Sequence, residues 1–242
     1  MQFHSKAWLR NVAIGLIALL GLSACGGSSG SSTDYSYAYI QFYNASPNGA
    51  NVEMREVDGD SFGSAQFGDT TSMYSMEKDE YELEFIRTDS DDQEVLIDTY
   101  TVDLKTGYKT LIVMSGDFSD PIITEYQYER ETLEDHFRLF ALSVTIDEDS
   151  YDFYLSDAGD PFEAANFLGT VTASEMIELD YWDPDDDSDY FDEGEYTIYL
   201  TEPGSTDVVF DSPTIYFSFS TNSLLPMHYV HFTNQDNQIV TP

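Results

Sequence analysis

The sequence predicts an all-β protein built of two tandem, sandwich-sized domains. Three observations carry that reading. Apolar and polar residues alternate with period two in run after run. Turn-forming residues punctuate those runs. The pattern of the first half then recurs in the second, roughly one hundred residues later, within the size of a single sandwich domain. No long amphipathic helix pattern interrupts the series.

The strands follow in order. Ile40 and Phe42 alternate with Tyr39, Gln41 and Tyr43. Tyr81, Leu83 and Phe85 alternate with Glu80, Glu82 and Glu84, which gives one apolar and one charged face, as a half-buried antiparallel strand requires. Tyr100, Val102 and Leu104 alternate with Thr101 and Asp103. Leu111 to Met114 is apolar on both sides, the pattern of a central strand. Turns are expected at Ser46-Pro47-Asn48-Gly49, Asp58-Gly59, Thr106-Gly107 and Asp120-Pro121. Short helical turns are expected at 131–136 and 162–167.

The repeat can be traced residue by residue. Glu80-Tyr81-Glu82-Leu83-Glu84-Phe85 matches Glu195-Tyr196-Thr197-Ile198-Tyr199-Leu200. Val95-Leu96-Ile97-Asp98 matches Val208-Val209-Phe210-Asp211, Phe67-Gly68 matches Leu168-Gly169, and Val52-Glu53-Met54 matches Tyr151-Asp152-Phe153 or its neighbour. The first domain is therefore expected over residues 36–130 and the second over 131–242, with an acidic insertion at 180–195.

The chain begins differently. Lys6 and Arg10 precede an apolar run from Val12 to Leu22, followed by Leu22-Ser23-Ala24-Cys25. A positive start, a short apolar core and small residues before a cut make a secretory signal peptide. The run is shorter than the roughly 20 residues a spanning helix needs. Leu22-Ser23-Ala24-Cys25 resembles the bacterial lipobox. That resemblance implies cleavage of residues 1–24, a diacylglycerol on the Cys25 thiol, and an acylated new N-terminus carrying chains such as palmitate. One acyl chain anchors marginally, whereas two or more hold firmly. Gly26 stands where an Asp would signal inner-membrane retention, so the expected address is the outer membrane of a Gram-negative envelope. Residues 25–35 then form a Gly/Ser-rich tether.

Charge narrows the function classes. The whole chain carries a formal charge of −37, with 9 basic against 46 acidic residues. Removing residues 1–24 takes away Lys6 and Arg10 and no acid, so the mature charge falls by two more. Such a surface excludes nucleic acid, which is bound through Lys and Arg. It also repels anionic lipid, which leaves attachment to the anchor. Cys25 is the only cysteine, so the mature fold holds no internal disulfide.

Phe42-Tyr43-Asn44-Ala45-Ser46-Pro47, then Val52, Phe67-Gly68, Tyr74, Glu80-Tyr81 and Val95-Leu96, resemble the domain-of-unknown-function 4397 family of secreted proteins and lipoproteins. Asn44 replaces the family's His, Asn48-Gly49 its Asp-Ala, and Glu80 its Gly. The second copy keeps Ala141, Ser143, Gly194-Glu195-Tyr196 and Thr201-Glu202-Pro203-Gly204-Ser205 but loses the proline. The resemblance covers nearly all of residues 38–232 and implies an immunoglobulin-like or transthyretin-like β-sandwich. It carries no active site to transfer.

Chemical constellations are few. Asp183, Asp185, Asp187 and Asp189 lie in a carboxylate-rich stretch that suits a hard cation such as Ca²⁺ or a solvated acidic hairpin loop. No frame through it gives an EF-hand. His228 and His231 form an H-x-x-H, but Met227 to Phe232 reads as a strand, which sends the two rings to opposite faces. His136 falls between the copies and His4 in the signal peptide. Tyr35, Tyr37, Tyr39 and Tyr43 form a dense cluster that could stack on a sugar, anchor a protein, or fill strands. No nucleophile elbow and no phosphate-binding glycine loop occur. The expected function is a non-catalytic, lipid-anchored interaction or structural module, with a carbohydrate- or Ca²⁺-binding module as the alternative. No cofactor is expected. The membrane and an envelope or extracellular protein or glycan are the expected partners.

Overall fold

Each sheet grows from the alternation described above. A computed structural model describes residues 37–47, 51–130, 138–144, 150–179 and 191–217, together with the backbone of 227–233 and 238–240. The described chain is all β apart from a single 3₁₀ turn at Phe162–Ala164. Residues Tyr35–Pro242 form one compact unit.

The first half makes two four-stranded sheets. One contains β1 (Ala38–Asn44), β4 (Tyr74–Met76), β7 (Tyr108–Ser115) and β8 (Ile122–Glu129), in the order β4-β1-β7-β8. The other contains β2 (Val52–Glu56), β3 (Ser61–Ala65), β5 (Glu80–Thr88) and β6 (Glu94–Asp103), in the order β3-β2-β5-β6. Their inner faces meet in a core of Ile40 and Phe42 from β1, Ile112 and Met114 from β7, and Met54, Leu83, Phe85 and Val102 from the second sheet. Phe42 and Phe85 touch across it, with ring centroids 5.3 Å apart.

The second half repeats the order. β9 (Arg138–Ser143), β12 (Met176–Leu179), β16 (Met227–Thr233) and β17 (Gln238–Val240) form a sheet ordered β12-β9-β16-β17. β10 (Tyr151–Asp157), β11 (Asn166–Val171), β13 (Gly194–Thr201) and β14 (Val208–Asp211) form another, ordered β11-β10-β13-β14, with β15 (Ile215–Phe217) also on β13. Leu139, Ala141, Phe153, Leu155, Ile198, Leu200 and Phe217 fill the core between them.

The register refines the repeat. Met54 pairs with Phe85 and Phe153 pairs with Leu200, so Val52-Glu53-Met54 corresponds to Tyr151-Asp152-Phe153 as the sequence match has it. Val52 pairs with Ala65 and Tyr151 with Val171, so Leu168-Gly169 corresponds to Phe62-Gly63, not to Phe67-Gly68. Both glycines lie beside a bulge and have positive φ, +100° at Gly63 and +156° at Gly169. A bulge residue in that region favours glycine, and this backbone demand produced the motif in both copies. Val208-Val209-Phe210-Asp211 is also displaced by one residue. Phe85 pairs with Asp98 and Leu200 with Phe210, so Phe210 answers Asp98.

The strands are not all antiparallel. β1 runs parallel to β7, and β9 runs parallel to β16. β7 is the central strand that Leu111 to Met114 suggested, with β1 on one side and β8 on the other. The expected helical segment at 162–167 is a 3₁₀ turn only over Phe162–Ala164, after which Asn166 and Phe167 enter β11. Residues 131–136 lie outside the described residues.

The two sandwiches share a buried seam. The outer face of the β1/β7 sheet presents Tyr43, Leu111, Val113 and Tyr126, and these pack with Leu142 and Val144 from the second half. Tyr128 stacks on Phe140 at 5.0 Å between centroids. The Tyr126 hydroxyl donates to the Ser174 carbonyl at 2.8 Å, and Arg138 Nη1 donates to the Glu129 carbonyl at 3.0 Å.

Candidate interaction surface

The seam disposes of the tyrosine cluster as an open surface. Tyr43 is fully buried, and burial pushes its phenol well above the usual range. Tyr39 is half-buried, with the Arg130 guanidinium carbon 4.0 Å from its ring centre. Tyr37 is exposed. Tyr35 lies outside the described residues. The reason is geometric: Tyr43 packs with Leu142 and Val144 of the second sandwich, while Tyr39 and Gln41 are half-buried against Arg130 and Thr71 of the first.

The seam also holds cations. Lys109 is 5% exposed, its ammonium 6.0 Å from the Tyr128 ring centre, and burial lowers its pKa to about 7. Arg130 is buried. Arg138 lies over Phe140 at 5.0 Å and is paired with Glu178. Lys109 and Arg130 are buried, and the half-buried Arg138 links the Glu129 carbonyl to Glu178.

A different aromatic set reaches solvent. On the outer face of the β10/β13 sheet, Phe167 pairs across strands with Tyr154, and Tyr154 pairs with Tyr199. The row ends at Asp211, opposite Tyr199. Cross-strand neighbours on one face are the closest side chains in a sheet. Phe162, delivered by the 3₁₀ turn, sits against Tyr154 at 5.0 Å and against Tyr199 at 5.6 Å. Phe167 packs on Tyr154 at 5.4 Å. All three contacts are edge-to-face, the geometry ring quadrupoles prefer. The Tyr199 hydroxyl donates to the Asp160 carbonyl at 2.8 Å and pins the turn that carries Phe162. Phe167 stays 54% exposed.

The row is bordered by polar groups. Thr170 donates from its hydroxyl to Asp152 at 2.5 Å, and the Gly204 amide donates to the other oxygen of the same carboxylate at 2.7 Å. Asp152 is buried and ties the β13–β14 turn to the sheet. Asp211, opposite Tyr199, and Asp160 and Glu163, next to Phe162 in the chain, are exposed, as is Asp157 at the end of β10.

The matching row in the first half is of another kind. Arg55 occupies the place of Tyr154, Glu84 that of Tyr199, and Ser61 that of Phe167. Arg55 pairs with Glu84 and reaches Glu94 at 3.2 Å. The same backbone thus holds an ion pair on one sandwich and an aromatic cluster on the other. The fold does not require rings at these positions.

Asp183, Asp185, Asp187 and Asp189 lie outside the described residues, as do Cys25 and His136. Among the described residues no group of three or more His, Cys, Asp or Glu could hold a metal ion. His228 and His231 fall on β16, where the backbone register sets them opposite Leu139 and Leu142. Among the described residues no helix is long and apolar enough to cross a membrane.

Comparison of this chain with models of known families gives no match, and comparison with curated proteins gives none either.

Proposed function

We propose that this chain is a lipid-anchored, non-catalytic interaction module and that the row Phe167-Tyr154-Tyr199, capped by Phe162, is its docking face. The observation that carries the reading is the contrast between the two sandwiches. Equivalent positions hold the Arg55–Glu84 ion pair in one and the half-buried rings of Tyr154 and Tyr199 in the other, with the exposed Phe167 at the end of the row. Exposed aromatic clusters cost solubility, and large ones mark contact sites. Aromatic side chains also dominate the energetics of protein contacts.

The anchor at Cys25, the outer-membrane address and membership in the domain-of-unknown-function 4397 family belong to the same proposal. Leu22-Ser23-Ala24-Cys25 supports the first, Gly26 the second, and the stretch Phe42 to Pro47 the third. In that stretch Ser46 donates from its amide to Asn44 Oδ1 at 3.1 Å, and Asn44 Nδ2 donates to the Ala65 carbonyl at 3.1 Å. A polar side chain is needed at position 44 to hold this corner, so Asn can stand where the family has His. An immunoglobulin-like or transthyretin-like topology is the finer form of the fold proposed with it.

Site-specific photo-crosslinking in cells tests the docking face. A benzoyl-phenylalanine at position 167 should give a discrete adduct, and one at position 96, equally exposed on the first sandwich, should not. Equal labelling at both positions would refute the assignment. Fractionation tests the anchor: the C25S chain should leave the membrane fraction at physiological salt, and its retention there would sink the lipid reading.

A further inference from the structure

We infer that the partner of the aromatic row is an arginine-bearing, cationic polypeptide segment. This rests on the docking face proposed above and adds its chemistry.

The argument begins with how the chain uses its own arginines. Beyond the leader it has four: Arg55, Arg87, Arg130 and Arg138. Three of them lie over rings, Arg87 on Phe118 at 5.3 Å, Arg130 on Tyr39 at 4.0 Å, and Arg138 on Phe140 at 5.0 Å. The fourth fills the row position that Tyr154 fills in the second sandwich. Arginine against an aromatic face is therefore the recurrent contact of this molecule.

The docking face has the rings and lacks the cation. No lysine or arginine occurs after Arg138, so the sheet that carries the row has none, and Arg138, on β9 of the other sheet, is paired with Glu178. Carboxylates are abundant there instead. Asp211 closes the row opposite Tyr199, Asp160 and Glu163 flank Phe162, and Asp157 ends β10. Cations are attracted to ring faces by the quadrupole, and a guanidinium stacks flat while still donating to carboxylates at its edge. An anionic polymer would be repelled by a chain of formal charge −37. A neutral glycan would stack and donate hydroxyl hydrogen bonds to the carboxylates, but it would gain neither cation–π attraction nor charge pairing. A cationic segment gains both.

Fluorescence anisotropy with the full chain in detergent tests this, using labelled oligo-arginine, oligo-lysine of equal length, and a labelled cello-oligosaccharide. Oligo-arginine should bind saturably and more tightly than oligo-lysine. F167A and F162A should each weaken it by about fivefold, and L96A should leave it unchanged. F167A alters an exposed ring and keeps the test valid even where F162A disturbs the turn. Arginine binding that is the same in F167A and wild type is mere polyelectrolyte attraction and overturns the inference. Row-dependent binding of the oligosaccharide without row-dependent binding of oligo-arginine also overturns it, while leaving the docking face intact. Failure of the position-167 crosslink removes the docking face itself.

Discussion

Lys109 gives the sharpest quantitative test of the seam. Its ammonium is 5% exposed between the sandwiches, and burial lowers its pKa to about 7. The unfolded value is near 10.4. The unfolded chain therefore binds more protons than the native one between these limits, so stability must rise with pH across them. Below pH 7 the native state bears the full cost of a buried charge. Each pH unit within the window returns about 1.4 kcal/mol, and the whole window about 4 to 5 kcal/mol. Lys109→Met keeps the stem and removes the charge. The variant should be the more stable protein at pH 7, and its advantage should shrink steadily toward pH 9.5. Urea denaturation at pH 7, 8 and 9, in salt high enough to damp the net charge, reads the difference directly. Tyr43 and Tyr126, both shifted upward by burial, stay protonated across this range. A difference that does not change with pH would refute the reasoning.

Two further substitutions probe separate parts of the molecule. Leu111→Ala removes a fully buried side chain from the seam and should cost about 2 to 5 kcal/mol; calorimetry should then show the two sandwiches melting closer to independently, and a transition that stays single would show that the Leu111 contact is not what couples them. Asp152→Ala strips the acceptor from Thr170 and from the Gly204 amide and should cost about 1 to 3 kcal/mol; unchanged stability by chemical denaturation would show that the β13–β14 turn needs no such tie.

Much of the fold was legible because strands write themselves with period two. Tyr81, Leu83 and Phe85 face the core in the register that the alternation required, and Leu111 to Met114 is the central strand. The parallel pairing of β1 with β7 was not legible. It joins segments more than sixty residues apart, and nothing local to Ile40 or Ile112 encodes which neighbour will close the sheet. The outer stripe of β1 misled for a related reason. Tyr39, Gln41 and Tyr43 have the composition of a solvent face, yet Tyr43 is interior because it packs with Leu142 and Val144 of the second sandwich. Lys109 reads as an exposed residue of a strand for the same cause. The aromatic row was closer to hand. The match of Glu84 to Tyr199 was available from the repeat, and it already set a ring where the first copy has a charge. Its partners were hidden by the bulges, because a one-residue shift reverses every face beyond it. Reading 162–167 as one helical turn hid Phe167 in particular.

The distribution of charge joins these findings into one argument. The basic residues all lie at or before Arg138; Lys109 and Arg130 are buried, and Arg138 links the Glu129 carbonyl to Glu178. Arg55 is held by Glu84 and Glu94 on the outer face of the first sandwich. Burying cations costs stability, yet each seam cation lies over a ring, where the quadrupole offsets part of that cost. A chain with so few cations has placed them where they hold its own layers together. The β10/β13 sheet of the second sandwich is left with rings, carboxylates and no cation of its own. If the cation that completes that face comes from a partner, giving the face its own cation should close it. Tyr154→Arg with Tyr199→Glu rebuilds the Arg55–Glu84 pair on the second sandwich. The double variant should fold, because the first sandwich already carries this pair on the same backbone positions. It should also lose oligo-arginine binding. Retained binding would mean that the cation is drawn to the chain's overall charge and not to this row.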